Sequence, residues 1–157
     1  MVGTETKANL SLERTKDDLV AILKAIHDFM ATEYVKGDEE IDNQHHKILG
    51  MYCDLAHVIL SDKQSDGVVD GMVLKLVVFL KLHFSVEENL MLVIGYHGME
   101  AHSLRHHSLV KDINVIMDDI RVDSKVLADF AVLIGNWLLD HERTCDKDFA
   151  EYMAARF

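Results

Sequence analysis

The sequence of 157 residues contains no proline and only two cysteines, Cys53 and Cys145. The absence of proline favours long uninterrupted helices, because proline breaks a helix interior. Two cysteines are too few for a disulfide scaffold and are typical of reduced thiols in a cytosolic protein. No apolar run is long enough to span a bilayer, and the N-terminal residues lack the apolar segment of a signal peptide. We therefore expect a cytoplasmic protein.

Basic residues are also scarce, since 16 Lys and Arg stand against 27 Asp and Glu and give a net charge of −11. This charge argues against a nucleic acid or an anionic membrane surface as partner. Apolar residues make up 49 % of the chain and charged residues 27 %, which is typical of a globular protein. The length suffices for one domain with a substantial core.

Hydrophobic residues recur every three or four positions, which is the pattern of amphipathic helices. The spacing predicts five helices, at residues 15–31, 41–60, 68–91, 99–120 and 124–153. Thr15 and Asp18 are candidate caps for the first helix, and Ser124 is one for the fifth. Because the last four helices are long and joined by short loops, we expect an all-α fold. It would be an up-down-up-down four-helix bundle with an added N-terminal helix.

The chain is predicted to divide into an N-terminal extension with an amphipathic helix, residues 1–30, and the bundle, residues 31–157. Two roles are open for the apolar face of the extension. It packs along the bundle as a fifth helix, or it forms a contact with a second copy or a protein partner, because an exposed apolar stripe favours association.

Histidine is abundant, with ten residues, and several lie on the apolar faces of the predicted helices. Each bundle helix contributes to a set of inward-facing polar residues, namely His45, His83, Glu87, His102, His106, His141 and Asp146. His83 and Glu87 are four residues apart, as are His102 and His106, so each pair shares one helix face. Asp146 is about 140° round an ideal helix from His141, so we expect it only to flank the site.

A single core histidine is commonly satisfied by a hydrogen bond, but seven converging polar groups would leave many buried atoms unpaired, at ~1–3 kcal/mol each. A metal centre removes that cost. Seven ligands are too many for one tetrahedral zinc and too rich in nitrogen for calcium or magnesium. Two six-coordinate transition metals that share two bridging carboxylates fit the set with one position open, and imidazole suits iron.

Four segments carry a resemblance to a known family: "IDNQHHKIL", "HFSVEENLM", "GYHGMEAHSLRH" and "WLLDHERTCD". In order and spacing they resemble the hemerythrin motifs ID-x-QH, HF-x-x-E-E-x-x-M, H-x-x-x-H and W-x-x-x-H-x-x-x-x-D, over roughly residues 30–153. The resemblance implies a four-helix bundle with a non-haem diiron centre that binds O2.

The resemblance also implies a role for each residue of the set. The fully coordinated iron would be held by three histidines, His102, His106 and His141. The iron with an open position would be held by His45 and His83. Glu87 and Asp146 would bridge the two irons, together with an oxo or hydroxo group.

Glu142 departs from the family pattern, which commonly has an aliphatic residue directly after the last histidine. Glu142 either lies on the surface or faces the pocket. In the pocket it would ligate the open iron in competition with O2 or, if protonated, act as a catalytic residue that donates a proton to peroxide. The remaining histidines are expected at the surface, and Glu88 is expected to be solvated or to contact a ligand.

Three functions follow as hypotheses. The first is O2 binding for storage, delivery or sensing. The second is a diiron peroxidase or oxidase that reacts with peroxide or O2, in which Glu142 tunes the site. The third is a sensor whose iron state alters a partner contact through the N-terminal helix.

Overall fold

The computed structural model describes residues 2–61, 66–119 and 124–157, and these residues are almost entirely helical. The helices are α1 (Val2–Thr32), α2 (Glu39–Leu60), α3 (Asp66–Ile94), α4 (Met99–Met117) and α5 (Ser124–His141). The chain of α5 continues through a π-helical turn, Glu142–Asp146, into α6 (Lys147–Ala154). No strand occurs within these three ranges. The predicted end of the fourth helix, at residue 120, lies outside them.

Helices α2 to α5 form the predicted bundle. Helix α2 packs against α3 and α5, and α4 packs against the same two helices, so that sequential helices are neighbours. The connections are short, as between Ile94 and Met99, and therefore reverse the chain direction. Asp38 caps α2 by accepting a hydrogen bond from the Ile41 backbone N–H at 3.1 Å. The predicted all-α bundle is confirmed.

Helix α1 begins well before the predicted residue 15, so the predicted cap at Thr15 and Asp18 is wrong. The Thr15 hydroxyl instead donates within the helix to the Ser11 carbonyl oxygen at 3.0 Å, which is the local bond that Ser and Thr form in helix interiors. It also lies 3.2 Å from Asp129 Oδ1 on α5. With no proline before Thr15, nothing in that stretch stops the helix.

The apolar face of α1 is buried in the same hydrophobic core as the bundle helices. Its buried residues are Leu19, Ile22, Leu23, Ile26 and Phe29. The helix packs mainly on α5 and also on α2. At this contact Gly135 of α5 allows a close approach, because a Cβ there would lie 2.6 Å from Ile22 Cγ2. Of the two roles left open for the extension, packing along the bundle is the one that the structure shows.

The polar residues of the predicted site lie where two apolar clusters meet. The larger cluster includes Phe84 and Leu109, and the smaller one contains Met91, Tyr96, Phe149 and Met153. The site is therefore enclosed by apolar side chains on both sides. In the described ranges, no helix is sufficiently long and apolar to cross a membrane.

Candidate metal centre

The structure brings all seven predicted site residues together in the interior. Each of them is 6 % exposed or less: His45, His83, Glu87, His102, His106, His141 and Asp146. They come from α2, α3, α4, the last residue of α5 and the end of the π-helical turn. Side chains of this kind are rarely so deeply buried unless they are paired or hold a metal.

We call His102, His106 and His141 the three-histidine half of the site. Their Nε2 atoms converge, with His141 Nε2 lying 2.9 Å from that of His102 and 3.0 Å from that of His106. Glu87 Oε2 is 3.4 Å from Nε2 of both His102 and His106. Asp146 Oδ1 is 3.1 Å from His102 Nε2 and 3.2 Å from His141 Nε2.

His45 and His83 form the two-histidine half, and their Nε2 atoms are 3.1 Å apart. Glu87 and Asp146, which contact the three-histidine half, also contact this half. Glu87 Oε2 lies 3.5 Å from His83 Nε2, and Asp146 Oδ2 lies 3.6 Å from His45 Nε2. Glu87 and Asp146 therefore stand between the two halves, where a bridging carboxylate would have to be.

The donor atoms have the spacing of ligands around two metals. Adjacent ligand atoms of a six-coordinate metal with bonds of about 2.1 Å would lie about 3.0 Å apart. The Nε2 separations of 2.9 to 3.1 Å match this value. Both Glu87 oxygens and Asp146 Oδ1 are buried without a hydrogen-bond partner within the described ranges. Because unpaired buried carboxylate oxygens are costly, these residues fit a bound metal pair.

The position of Asp146 differs from the one that ideal helical periodicity predicted, which was only a flanking position; the resemblance had implied a bridging one. In the π-helical turn from Glu142 to Asp146 the hydrogen bonds run between residues five apart, so the turn is wider than an α-helical one. Residue i+5 is thereby brought over residue i, and Asp146 Oδ1 comes within 3.2 Å of His141 Nε2. The assumption of a uniform 100° step per residue was the source of the error.

Hydrogen bonds fix the ring orientation of two histidines. His106 Nδ1–H donates to Glu88 Oε1 at 2.8 Å, and His83 Nδ1–H donates to Gln44 Oε1 at 2.9 Å. Each bond leaves the Nε2 lone pair directed into the site, as a metal ligand requires. Glu88 thus contacts a candidate ligand, as predicted. The role of Gln44 was missed, although it directly precedes His45 in a quoted motif.

Aromatic rings support the three-histidine half. Phe84 stacks on His106 with ring centroids 4.0 Å apart and an interplanar angle of 12°. Trp137 stacks on His141 at 4.2 Å and 15°. These rings restrict the imidazoles to one orientation and keep that side of the site apolar. Trp137 therefore lies near the site, as its position in the motif implied.

Burial and mutual charge change the pKa values of the clustered groups in the absence of metal. Burial opposes charging of His102 and His141, but the contacts with Asp146 and Glu87 outweigh it and raise their pKa values to about 9 and about 10. Burial alone dominates at His83 and lowers its pKa to about 4. Burial also disfavours the Glu87 carboxylate, yet the neighbouring imidazoles of His102 and His106, 3.4 Å from its Oε2, lower its pKa to about 2.

Glu142 faces the interior and is 6 % exposed, so it is not a surface residue. Its Oε2 atom is 3.6 Å from His45 Nδ1, and with His45 and Asp146 it forms a further group able to hold a metal. Burial and the charges of Asp146 and Glu87 raise the pKa of Glu142 to about 8, although His45 opposes the shift. The π-helical turn is again the cause, because it directs both of its acidic ends inward.

A small cavity adjoins this end of the site. It has a volume of about 10 Å³ and is lined on its inner side by His45, Glu87, Glu142 and Asp146. None of the three-histidine half belongs to its described lining. A small molecule in the cavity would therefore meet the two-histidine half.

The other five histidines are exposed, as predicted: His27, His46, His57, His97 and His107. They take no part in the cluster. The structure thus separates the histidines of the chain into five buried together and five on the surface.

Fold and site together define a class of protein: a helical bundle whose core contains a metal-binding cluster of histidines and carboxylates. Comparison with known proteins is consistent with this class. The chain is 26 % identical over 125 residues to a bacteriohemerythrin of Clostridium acetobutylicum, which covers 76 % of this chain and 95 % of the relative. It is 27 % identical to the bacteriohemerythrins of Pseudomonas paraeruginosa and Stenotrophomonas maltophilia. These two matches cover 73 % and 76 % of this chain, and 74 % and 76 % of the relatives.

No model of a protein family matches the chain. No solved structure matches it either. The similarity to several bacteriohemerythrins along most of the chain supports the predicted relationship to the hemerythrin family.

Proposed function

We propose that the protein is a non-haem diiron protein that binds O2 at the two-histidine half of its site. The observation that carries the proposal is the division of the cluster into two ligand sets with Glu87 in common. One set is Glu87, Asp146 and the three-histidine half, and the other is His45, His83 and Glu87. Asp146 also groups with His45, which supports a bridging role for both carboxylates.

Each half has a distinct task in this proposal. When bound, two irons linked by an oxo or hydroxo group would supply electrons and one open coordination position for O2. His102, His106, His141, Glu87 and Asp146 would fill the positions of one iron. His45 and His83, with the same carboxylates, would leave the other iron accessible from the cavity.

The cavity sets the size of the ligand. A volume of about 10 Å³ holds roughly one water-sized molecule, which suits O2 or peroxide and excludes larger organic substrates. Its wall includes the apolar side chains of Ile41, Phe149 and Met153, which limit the access of water and protons. The protein would act in the cytoplasm in O2 storage, delivery or sensing, with neither nucleic acid nor membrane as partner.

Visible absorption tests the proposal. The iron content per chain of the iron-loaded protein is measured. The protein is then reduced anaerobically, exposed to air and flushed with argon. We expect two irons per chain and an absorption change on O2 addition that argon reverses. One metal per chain, or no response of the reduced protein to O2, would contradict the proposal.

A second candidate function is a diiron peroxidase or oxidase, and the burial of Glu142 favours it. Glu142 lines the cavity, and in the absence of metal burial raises the pKa of its carboxyl group to about 8; in its protonated form this group can donate a proton to peroxide as a general acid. The same group would make the protein a poorer reversible O2 carrier.

Replacing Glu142 separates the two candidates. In Glu142→Leu we expect slower peroxide consumption by the reduced protein and a longer-lived O2-induced absorption. Glu142→Gln keeps the side-chain volume without a transferable proton and should behave like the leucine variant. Glu151→Gln, at an exposed carboxylate of α6, serves as the control. If the Glu142 variants match the parent in both rates, the enzyme hypothesis loses its support.

A further inference from the structure

His45 has an unusual hydrogen-bond partner for a candidate metal ligand. His83 and His106 donate from Nδ1 to side chains of the bundle, Gln44 and Glu88. The Nδ1 atom of His45 instead lies 3.3 Å from the hydroxyl oxygen of Tyr34. Tyr34 belongs to the connection between α1 and α2, which no site motif includes.

The Tyr34 hydroxyl is itself held in place. It donates to Asp42 Oδ1 at 2.8 Å, so its oxygen is left to accept from His45 Nδ1–H. Asp42 also receives the Gly37 backbone N–H, at 3.2 Å from Oδ1 and 3.1 Å from Oδ2. A chain of hydrogen bonds therefore runs from the backbone of the connection through Asp42 and Tyr34 to His45.

A second acceptor competes for the same proton. Glu142 Oε2 lies 3.6 Å from the same His45 Nδ1 atom. If Tyr34 did not accept the bond, a small rotation would allow His45 to donate to Glu142. The ring would then turn away from the orientation in which its Nε2 faces that of His83 at 3.1 Å.

We propose that Tyr34 is a positioning residue of the metal site, which sets the orientation of His45 and makes the α1–α2 connection part of the two-histidine half. The inference rests on the proposed function, since it assigns Tyr34 to the iron that His45 would hold. It goes beyond that function by linking the occupancy of one iron position to the chain segment that follows α1.

The connection is also attached to the π-helical turn. Arg143 Nε donates to Glu33 Oε2 at 2.8 Å, and the Arg143 guanidinium lies 5.9 Å from the centre of the Phe29 ring. Phe29 in turn makes an edge-to-face contact with Tyr34, with ring centroids 6.0 Å apart. Metal at the two-histidine half should therefore protect this connection from exchange with solvent, because binding and local order are reciprocally linked.

Tyr34→Phe tests the proposal by removing one oxygen atom. Tyr152→Phe is the matched control, since its hydroxyl bonds to the Gly95 carbonyl oxygen and not to a candidate ligand. Both variants and the parent are titrated anaerobically with ferrous iron against a competing chelator. We expect Tyr34→Phe to bind its second iron about 10- to 100-fold more weakly, as is usual when the partner of a ligand histidine is lost. The first iron should bind as in the parent.

Two results of the titration would overturn the proposal. One is parental affinity for both irons in Tyr34→Phe. The other is equal weakening of both irons together with an altered far-UV circular dichroism spectrum of the metal-free variant, because Tyr34 would then support the fold rather than one ligand.

A measurement without metal separates this inference from the proposed function. In protein with ¹⁵N-labelled histidine, the Nδ1–H signal of His45 is assigned by its loss in His45→Gln. We expect the signal to shift in Tyr34→Phe and to stay unchanged in Tyr152→Phe. An unchanged signal in Tyr34→Phe would overturn the positioning role, whatever the iron content of the parent. A parent that binds fewer than two irons would instead count against the diiron proposal.

Discussion

The two halves of the site are built from similar ligands in different surroundings. The three-histidine half lies between stacked aromatic rings, and Glu88, a carboxylate, holds one of its imidazoles. The two-histidine half has a neutral amide, Gln44, and a tyrosine from a connecting segment as its partners. It also borders the cavity, through His45. The surroundings of the first half favour rigidity, and those of the second favour access.

This difference teaches that similar ligands do not by themselves define two equivalent metal positions. Burial is nearly equal, with His83 and His102 both 2 % exposed. The partners of the ring Nδ1 atoms, the adjoining cavity and the additional carboxylate of Glu142 distinguish the halves.

The largest difference is expected between His141→Ala and His45→Ala. His141 is central to the three-histidine half, with Nε2 of both neighbours within 3.0 Å, so its loss should prevent the binding of either iron. His45→Ala should retain one iron. Metal stabilises only the folded state. His141→Ala should therefore lack the ~4 kcal/mol by which metal raises the free energy of unfolding of the parent at a free metal concentration near a thousand times Kd.

Iron content per chain and thermal unfolding with and without iron measure this difference. His27→Ala, at an exposed histidine of α1, is the control and should behave as the parent. If His45→Ala also loses all iron, the two halves bind metal only as a unit, and the comparison between them fails.

The pH dependence of metal binding should also differ between the halves. With pKa values raised to about 9 and about 10, His102 and His141 are charged at neutral pH without metal and must lose protons to become ligands. Binding at the three-histidine half should therefore release about two protons near pH 7.5 and strengthen with rising pH until about pH 10. At the other half burial lowers the pKa of His83 to about 4, so this ligand is already neutral at pH 7.5. Any proton released there would come from His45, whose pKa is raised by Asp146, Glu142 and Glu87 against the effect of burial.

The stability of the metal-free protein should fall with rising pH, whereas metal binding strengthens. A raised histidine pKa stabilises the folded state fully below the unfolded value of about 6.5, and this contribution is lost as pH rises through the folded value. Denaturation without metal should thus become easier between pH 6.5 and about pH 10, whereas iron affinity increases. Proton release into a weakly buffered indicator dye and urea titrations check the two trends. Parallel trends would show that the clustered histidines are neutral before metal binds.

Gly37→Ala should weaken the two-histidine half selectively. A Cβ at Gly37 would lie 2.9 Å from Met153 Cε and 3.1 Å from the Ala150 backbone Cα, so the connection must move away from α6. Such overpacking commonly costs ~1–3 kcal/mol. The displacement also disturbs the Gly37–Asp42 bonds beneath Tyr34. We expect a lower unfolding midpoint and weaker binding of the second iron, with the first unaffected. Gly50→Ala, where a Cβ meets no atom, is the control.

Most of the helices and most of the site were accessible from the sequence because both depend on regular periodicity. The pairs His83/Glu87 and His102/His106 lie on ordinary α-helical turns, where residues four apart share a face. The start of α1 was missed because residues 2–14 contain no stop signal and are helical without a recognisable cap.

The remaining features could not be predicted because they depend on departures from that periodicity. The π-helical turn changes the angle between His141 and Asp146 and buries Glu142. No local residue pattern predicted this turn. Tyr34 reaches His45 from a segment that reads as a loop, so its contact depends on tertiary packing alone. The signal for Gln44 was its place beside His45 in the motif.

The smallest expected effect comes from exchanging the partners of two ligand histidines. A carboxylate on Nδ1 increases the basicity of an imidazole more than an amide does, so Glu88 should strengthen His106 as a ligand relative to His83 with Gln44. Glu88→Gln should weaken the binding of the first iron about tenfold. Gln44→Glu should strengthen the second iron by a smaller factor, because Gln44 Nε2 also bonds to Glu40 Oε1 at 2.9 Å and the new carboxylate would face that acidic neighbour. The double variant, with its charge unchanged, should bring the two affinities closer together in an anaerobic ferrous iron titration. If the affinities keep their original ratio, the cavity and Glu142, rather than the Nδ1 partners, set the difference between the halves.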